Sequence, residues 1–467
     1  MDLKRFYLLL CLVMFTKVLL GQEIELKGSW KGSLDIMGQK LPLIFHFEAG
    51  EEGWTGTADS PTQGAKGMKL KKVLFDGSML SVEFELIPAV FEGVFVADTI
   101  KGSFTQSGSS FPLELSRLKE GEALGMEKFQ EPIPPFDYEI IETTFKNDKE
   151  GIKLAGTITK PMGPGPFPAV VLVTGSGPQN RNGEIFGHQP FWVIADFLAK
   201  NGIVVLRYDE RGVGESEGIF IQATSLDFKE DAALALAHLK KHPFVDQIKA
   251  GIMGHSEGGM LGWMLASENQ KVNYLVALAA PVVPIHELMV QQTEDVLSAG
   301  GAMQEAIDKQ LQMNNKVYQT IKNTEQFEDL ADGLQEMLKT HLVEIGIGQE
   351  NLEEEVAAIM EVYSPTLTPW FFEFLKFSSE PFIEKIQIPV FAAFGEKDIQ
   401  VNPIVNTKAL ERIILDNQLD HFQVSVYPGL NHLFQRAESG VISEYGLLSE
   451  TFNEQVLKEI VAWIKGL

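Results

Sequence analysis

From Phe136 onward, apolar runs alternate with helix-forming stretches, and this alternation most constrains what the chain can fold into. The runs 169–174, 203–208, 248–253, 274–279, 390–394 and 422–427 are rich in Val, Ile and Leu. They show little polar alternation, as strands buried on both faces do. Between them, 191–200, 226–241, 258–267, 404–415 and 450–465 read as helices. Strand and helix in turn demand a mostly parallel, doubly wound sheet with helices on both faces. The rhythm breaks over about 285–387, which holds no good strand. Amphipathic sets such as Met303, Ile307, Leu311 and Leu330, Leu334, Met337 predict a helical insertion there, between two sheet strands.

Residues 22–130 follow a different pattern. Leu34, Ile36, Leu41, Leu43, Phe45 and Phe47 alternate with polar residues, as do Leu80, Val82, Phe84 and Leu86, and then Leu113 and Leu115. The dipeptides Met37-Gly38, Asp76-Gly77 and Ser107-Gly108 supply turns between them. Short alternating strands predict a small all-β barrel or sandwich. The segment Glu131-Pro132-Ile133-Pro134-Pro135 is the natural linker, so the second domain is expected over 136–467. Trp30, Phe45 and Phe47 would suit either a carbohydrate-binding face or a β-domain core, and the core fits better.

The first 21 residues read as an export signal. Lys4 and Arg5 precede an apolar run from Phe6 to Leu20, and Gly21 is a small residue at the expected cleavage point. Lys17 interrupts the run, which is short for a bilayer span, so a secreted or periplasmic chain without a stable membrane anchor is expected. Cys11 lies in mid-run, without the small neighbours of a lipid-attachment site. It is the single cysteine of the chain, which excludes disulfides, thiolate catalysis and zinc–cysteine sites after cleavage. A net charge of −25 argues against nucleic acid and anionic membranes as partners. No cofactor or metal is expected, and the oligomeric state is not legible.

Two stretches match G-x-S-x-G, a pattern in which glycines two residues either side of a serine permit a very tight strand-to-helix turn. Gly254-His255-Ser256-Glu257-Gly258 directly follows an apolar strand run and directly precedes a helical one. Gly214-Glu215-Ser216-Glu217-Gly218 lies past its strand and runs into Ile219-Phe220-Ile221 with no helix start, so Ser216 reads as a loop residue. Ser256 is therefore the candidate nucleophile. A serine hydroxyl needs a base, and the base an orienting acid. On sheets carrying such a turn the order is Ser, then Asp or Glu, then His.

That order leaves His421 and His432 of the nine histidines. His421 opens a strand run, whereas His432 sits in the loop after it, where a base is needed. Asp398 closes Gly395-Glu396-Lys397-Asp398 at the carboxyl end of a strand, where groups of open α/β sheets converge. Glu396 is its close rival, and Asp416 and Asp420 read as turn residues. The main-chain N–H of Glu257 is one expected oxyanion donor. The second is expected from Gly175-Ser176-Gly177-Pro178-Gln179, with Ser176 first and Gln179 in reserve.

The ordered motifs GSGPQNRN, LRYDERGVGESEG, GHSEGG, GEKD and GLNH resemble the bacterial α/β-hydrolase esterases. They are similar also to the serine aminopeptidase-like and prolyl-oligopeptidase-like branches. The resemblance covers about 136–467 and implies an α/β-hydrolase fold, with the helical insertion as a cap. It implies that Arg207, Asp209 and Arg211 form a structural loop beside the site. Residues 22–130 resemble the β-rich prefix of some secreted hydrolases. The cap ends in Pro369-Trp370-Phe371-Phe372-Glu373-Phe374-Leu375, from which Trp370 and Phe372 are candidates for an acyl pocket. The expected function is hydrolysis of a small-molecule carboxylic ester through an acyl-enzyme. The alternatives are a serine peptidase or aminopeptidase, and a noncatalytic binding protein.

Overall fold

The computed structural model describes residues 26–119 and 128–467, apart from 37–38, 51–52, 62–64, 97, 107–108 and 269–271. The expected signal segment 1–21, Cys11 and two of the three turn dipeptides lie outside the described residues. The chain divides into two compact units, Met1–Met126 and Glu127–Leu467.

The first unit is a closed antiparallel barrel of eight strands: β1 (Gly28–Ile36), β2 (Gln39–Gly50), β3 (Gly53–Ser60), β4 (Ala65–Phe75), β5 (Met79–Phe84), β6 (Ala89–Val96), β7 (Thr99–Gln106) and β8 (Ser109–Arg117). Pairing of Trp30 with Arg117 closes it. Alternation sends Leu43, Phe45, Phe47, Leu80, Val82 and Phe84 into one core. Leu86 departs from the expected pattern and is 87% exposed, because β5 ends at Phe84. At the Asp76-Gly77 turn the Asp76 carboxylate accepts the N–H groups of Ser78 and Met79. Trp30, Phe45 and Phe47 are buried, which removes the carbohydrate-face reading.

The second unit is one eight-stranded sheet in the order β16-β15-β14-β13-β11-β12-β10-β9. Its strands are β9 (Tyr138–Asn147), β10 (Ile152–Pro161), β11 (Phe167–Val173), β12 (Val204–Tyr208), β13 (Val245–His255), β14 (Leu275–Leu278), β15 (Val390–Gly395) and β16 (Phe422–Tyr427). β11 through β16 are parallel, while the β9–β10 hairpin and the β10–β12 pair are antiparallel. β12, β14 and β15 are buried at every position, as expected for strands covered on both faces.

On one face, α1 (Pro190–Lys200) packs with the carboxyl-terminal helix. On the other lie α2 (Ser225–Leu239) and α3 (Glu257–Ser267), where Trp263 is fully buried and donates its Nε1–H to Pro281. Between β14 and β15 come α4 (Ile285–Ala299), α5 (Gln304–Asn323), α6 (Leu330–Glu344), α7 (Leu352–Val362), α8 (Pro369–Lys376) and the single-turn α9 (Glu380–Ile383), with no strand among the described residues. Ile307, Leu330 and Leu334 face inward, but Met303 is the cap residue before α5 and is 78% exposed. The chain ends with α10 (Pro403–Asn417) and α11 (Glu454–Gly466). This is the α/β-hydrolase fold with a helical insertion. Among the described residues no helix is long and apolar enough to cross a membrane.

After β11 the chain moves outward to β12, then returns past β11 to form β13. Loops leaving the carboxyl ends of β11 and β13 therefore diverge, and a crevice opens between them. Residues 174–179 follow β11, and Ser256 follows β13.

Candidate active site

Ser256 joins β13 directly to α3 with φ 53° and ψ −119°, a conformation that side chains rarely adopt. Its N–H donates to Leu278 O at 2.8 Å, which ties the turn to β14. The flanking glycines are sterically required. A Cβ on Gly254 would lie 2.1 Å from the Gly258 carbonyl oxygen, and one on Gly258 would lie 2.2 Å from that of Val173. The turn thus presents the serine at the start of a helix, where free N–H groups favour developing negative charge.

His432 lies in the loop after β16, and its Nδ1–H donates to Asp398 Oδ2 at 2.7 Å. Asp398 is buried at the end of β15, and its other oxygen accepts the N–H groups of Gln400 and Val401 at 2.8 and 2.9 Å. An imidazole that donates from Nδ1 keeps Nε2 as its acceptor. Ser256 and His432 line one cavity of about 350 Å³. The rivals are engaged elsewhere. Glu396 accepts the N–H of Gly429, Asp416 faces Arg412, and His421 donates to Ile386 O. Asp420 is exposed. Ser216 Oγ donates to Asp209 O and accepts the N–H of Ala155, a loop brace.

Gly175 brings the loop after β11 against Ser256, since a Cβ there would lie 3.1 Å from Ser256 Cβ. Ser176 and Gln179 both line the cavity. The N–H of Gln179 is already taken by the Glu210 carboxylate at 3.0 Å, and its side-chain amide donates to Gly175 O and Ser176 O. Gln179 therefore stitches the loop, and its main-chain donor is occupied. Glu210 also accepts the hydroxyl of Thr174, and burial pushes its pKa up to about 8. Arg207 bonds Asn182, Asp209 holds Arg181, and Arg211 holds Asp231. All three brace loops around the site.

The cavity wall is largely apolar, with Phe186, Phe191, Ile194, Leu288, Met289, Leu433 and Phe452 among its residues. Trp370 lines it, together with Phe371 and Phe374 on neighbouring faces of α8. Phe372 does not. It points round the helix into the cap, packing 5.8 Å from the Phe327 ring with Lys376 over its face. Among the described lining residues there is no Asp, Glu, Lys or Arg. No group of three or more His, Cys, Asp or Glu side chains that could hold a metal occurs among the described residues.

Three contributors escaped sequence reasoning. His255 donates its Nε2–H to the main-chain carbonyl of His432, and burial drives its pKa down to about 3, so it is neutral. Tyr445 is fully buried, and its hydroxyl accepts the side-chain N–H of Gln400. The Glu257 side chain is buried beside Ser256. His255 and Glu257 occupy the two variable positions of G-x-S-x-G, so the pattern itself carries no signal for them.

A family model described as serine aminopeptidase, S33, matches residues 190–344. Esterase EstD of Thermotoga maritima is 27% identical over 311 residues, which is 67% of this chain and 65% of that protein. The chain thus spans just under two thirds of that relative's length. Among solved structures, the Pyrococcus furiosus esterase Pf2001 is 15% identical, with coverage of 71% of this chain and 91% of that one and a TM-score of 0.42. Est1E from Butyrivibrio proteoclasticus, solved with ferulic acid bound, is also 15% identical, covering 69% and 96% at a TM-score of 0.39. The resemblance to α/β-hydrolases of the esterase and serine aminopeptidase-like branches, preceded by a β-rich domain, is borne out.

Proposed function

We propose that this α/β-hydrolase fold carries a serine hydrolase that cleaves small carboxylic esters through an acyl-enzyme. The observation that carries the reading is the buried His432–Asp398 pair, bonded at 2.7 Å, opening with the strained Ser256 turn into one cavity. Ser256 Oγ attacks the ester carbonyl carbon while His432 Nε2 takes its proton. The carbonyl oxygen becomes an oxyanion, facing the main-chain N–H of Glu257 and that of Ser176. As the intermediate collapses, the carbon–oxygen bond to the alcohol breaks and His432 returns the proton to the departing alkoxide. Water then attacks the acyl-enzyme by the same route, releasing the acid and restoring Ser256. Asp398 fixes the tautomer and stabilises the imidazolium through its bond to Nδ1.

The family description favours a second reading, a serine aminopeptidase. Such an enzyme must hold a substrate ammonium group, and a buried cation needs an anionic partner. Among its described lining residues the cavity offers no carboxylate, which supports uncharged acyl esters instead. The amino-terminal signal pattern supports a secreted or periplasmic site of action. A panel of nitrophenyl esters beside aminoacyl nitroanilides tests the choice. Turnover of the anilides alone would overturn the ester reading.

A further inference from the structure

The reaction uses only the main chain of Glu257, yet its side chain is 3% exposed and sits one residue from the nucleophile. Two donors on separate elements bond this carboxylate, and a third hydroxyl neighbours it. Ser225, the first residue of α2, donates its hydroxyl at 2.5 Å. Trp370 of the cap helix α8 donates its indole Nε1–H at 2.9 Å, to the same oxygen. Burial raises the pKa of this carboxyl, and the side chain of Ser176, on the loop after β11, is with Ser225 and Trp370 among the neighbours that pull it back down.

We propose that Glu257 is a positioning residue that couples the cap to the oxyanion loop, holding Trp370 and Ser176 in register through one shared carboxylate. This rests on the serine hydrolase reading above. The indole of Trp370 lines the cavity while its N–H edge grips Glu257, so an acyl group packed against the cavity wall bears on a ring anchored at the nucleophile. Displacing that ring moves the carboxylate, and Ser176 moves with it. A displaced Ser176 main-chain donor weakens the grip on the oxyanion, which forms only in the transition state and not in the bound neutral ester, so the penalty appears in kcat.

The test is a double-mutant cycle in the full chain with Trp370→Phe, which keeps an aromatic ring in the wall and deletes the N–H, and Ser176→Ala, which keeps the main-chain donor and deletes the hydroxyl. Acetyl and octanoyl nitrophenyl esters supply kcat and KM, fluorophosphonate labelling reports Ser256, and the thermal midpoint reports folding. Each single variant is expected to lower kcat about tenfold on both esters at nearly unchanged KM. The double variant is expected to be little worse than either, because both break one link. Wild-type kcat for Trp370→Phe on acetyl ester, or losses that simply multiply, would overturn the coupling. Low activity accompanied by a collapsed thermal midpoint in both variants would also overturn it, since the contacts would then be structural only. A wild-type chain inert to phosphonate and esters would instead overturn the hydrolase reading beneath it.

Discussion

The Nε2–H of His255 donates to the main-chain carbonyl of His432 at 2.9 Å, with the two rings 4.7 Å apart between centroids. The residue before the proposed nucleophile therefore holds the loop that carries the proposed base. His255→Ala leaves that buried carbonyl unpaired and frees the loop, and kcat should fall about 10²-fold, since small misplacements of reacting groups cost that much. His255→Gln can still reach with an amide N–H and should retain most of the activity. Steady-state kinetics of the two variants checks this, and equal losses would show that the donor is not what matters.

The cap aromatics should divide by face. Phe374 lines the cavity and stacks on Trp370 at 5.0 Å, so Phe374→Ala should shift preference between short and long acyl esters by about 1–3 kcal/mol. Phe372 is buried within the cap, so Phe372→Ala should lose about 3–5 kcal/mol of stability while keeping the wild-type chain-length profile. Ester profiles and denaturant melts of both variants decide it. Reversed roles would mean that the cavity extends into the cap interior.

Acid should destabilise the second unit in a defined window. His188 is fully buried, and burial, then the nearby Lys128 charge, lowers its pKa from 6.5 to about 4. The unfolded chain binds this proton more readily, so the contribution is full above pH 6.5 and is lost as pH falls through about 4. For His188 alone that amounts to roughly 3 kcal/mol, and His255 acts with the same sign. Denaturant midpoints between pH 4 and 7.5 should fall with acidity, less steeply in His188→Asn. Equal slopes would contradict the assignment.

Much of the molecule was legible because burial leaves a pattern. The parallel strands read as apolar runs since both their faces are covered, and Leu80, Val82 and Phe84 alternate since one face of the barrel is. The β9–β10 hairpin was not read, because β9 alternates polar and apolar residues at the sheet edge and lacks an unbroken apolar run. Ser256, Asp398 and His432 could be nominated from chain order relative to strands. Phe372 was misassigned to the pocket because sequence shows an aromatic cluster but not which side of α8 each ring takes. The carboxylates of Glu210 and Glu257 were unreadable as braces, since their partners lie on elements far away in the chain.

The most direct test is active-site labelling by a fluorophosphonate, which forms a covalent bond only with an activated serine. The account predicts one adduct per chain, located on Ser256. Ser256→Ala should abolish labelling and lower ester turnover by several orders of magnitude, with the thermal midpoint preserved. Ser216→Ala, which removes only a loop brace, should label at the wild-type rate. An adduct on Ser216, or a Ser256→Ala variant within tenfold of wild-type turnover, would contradict it.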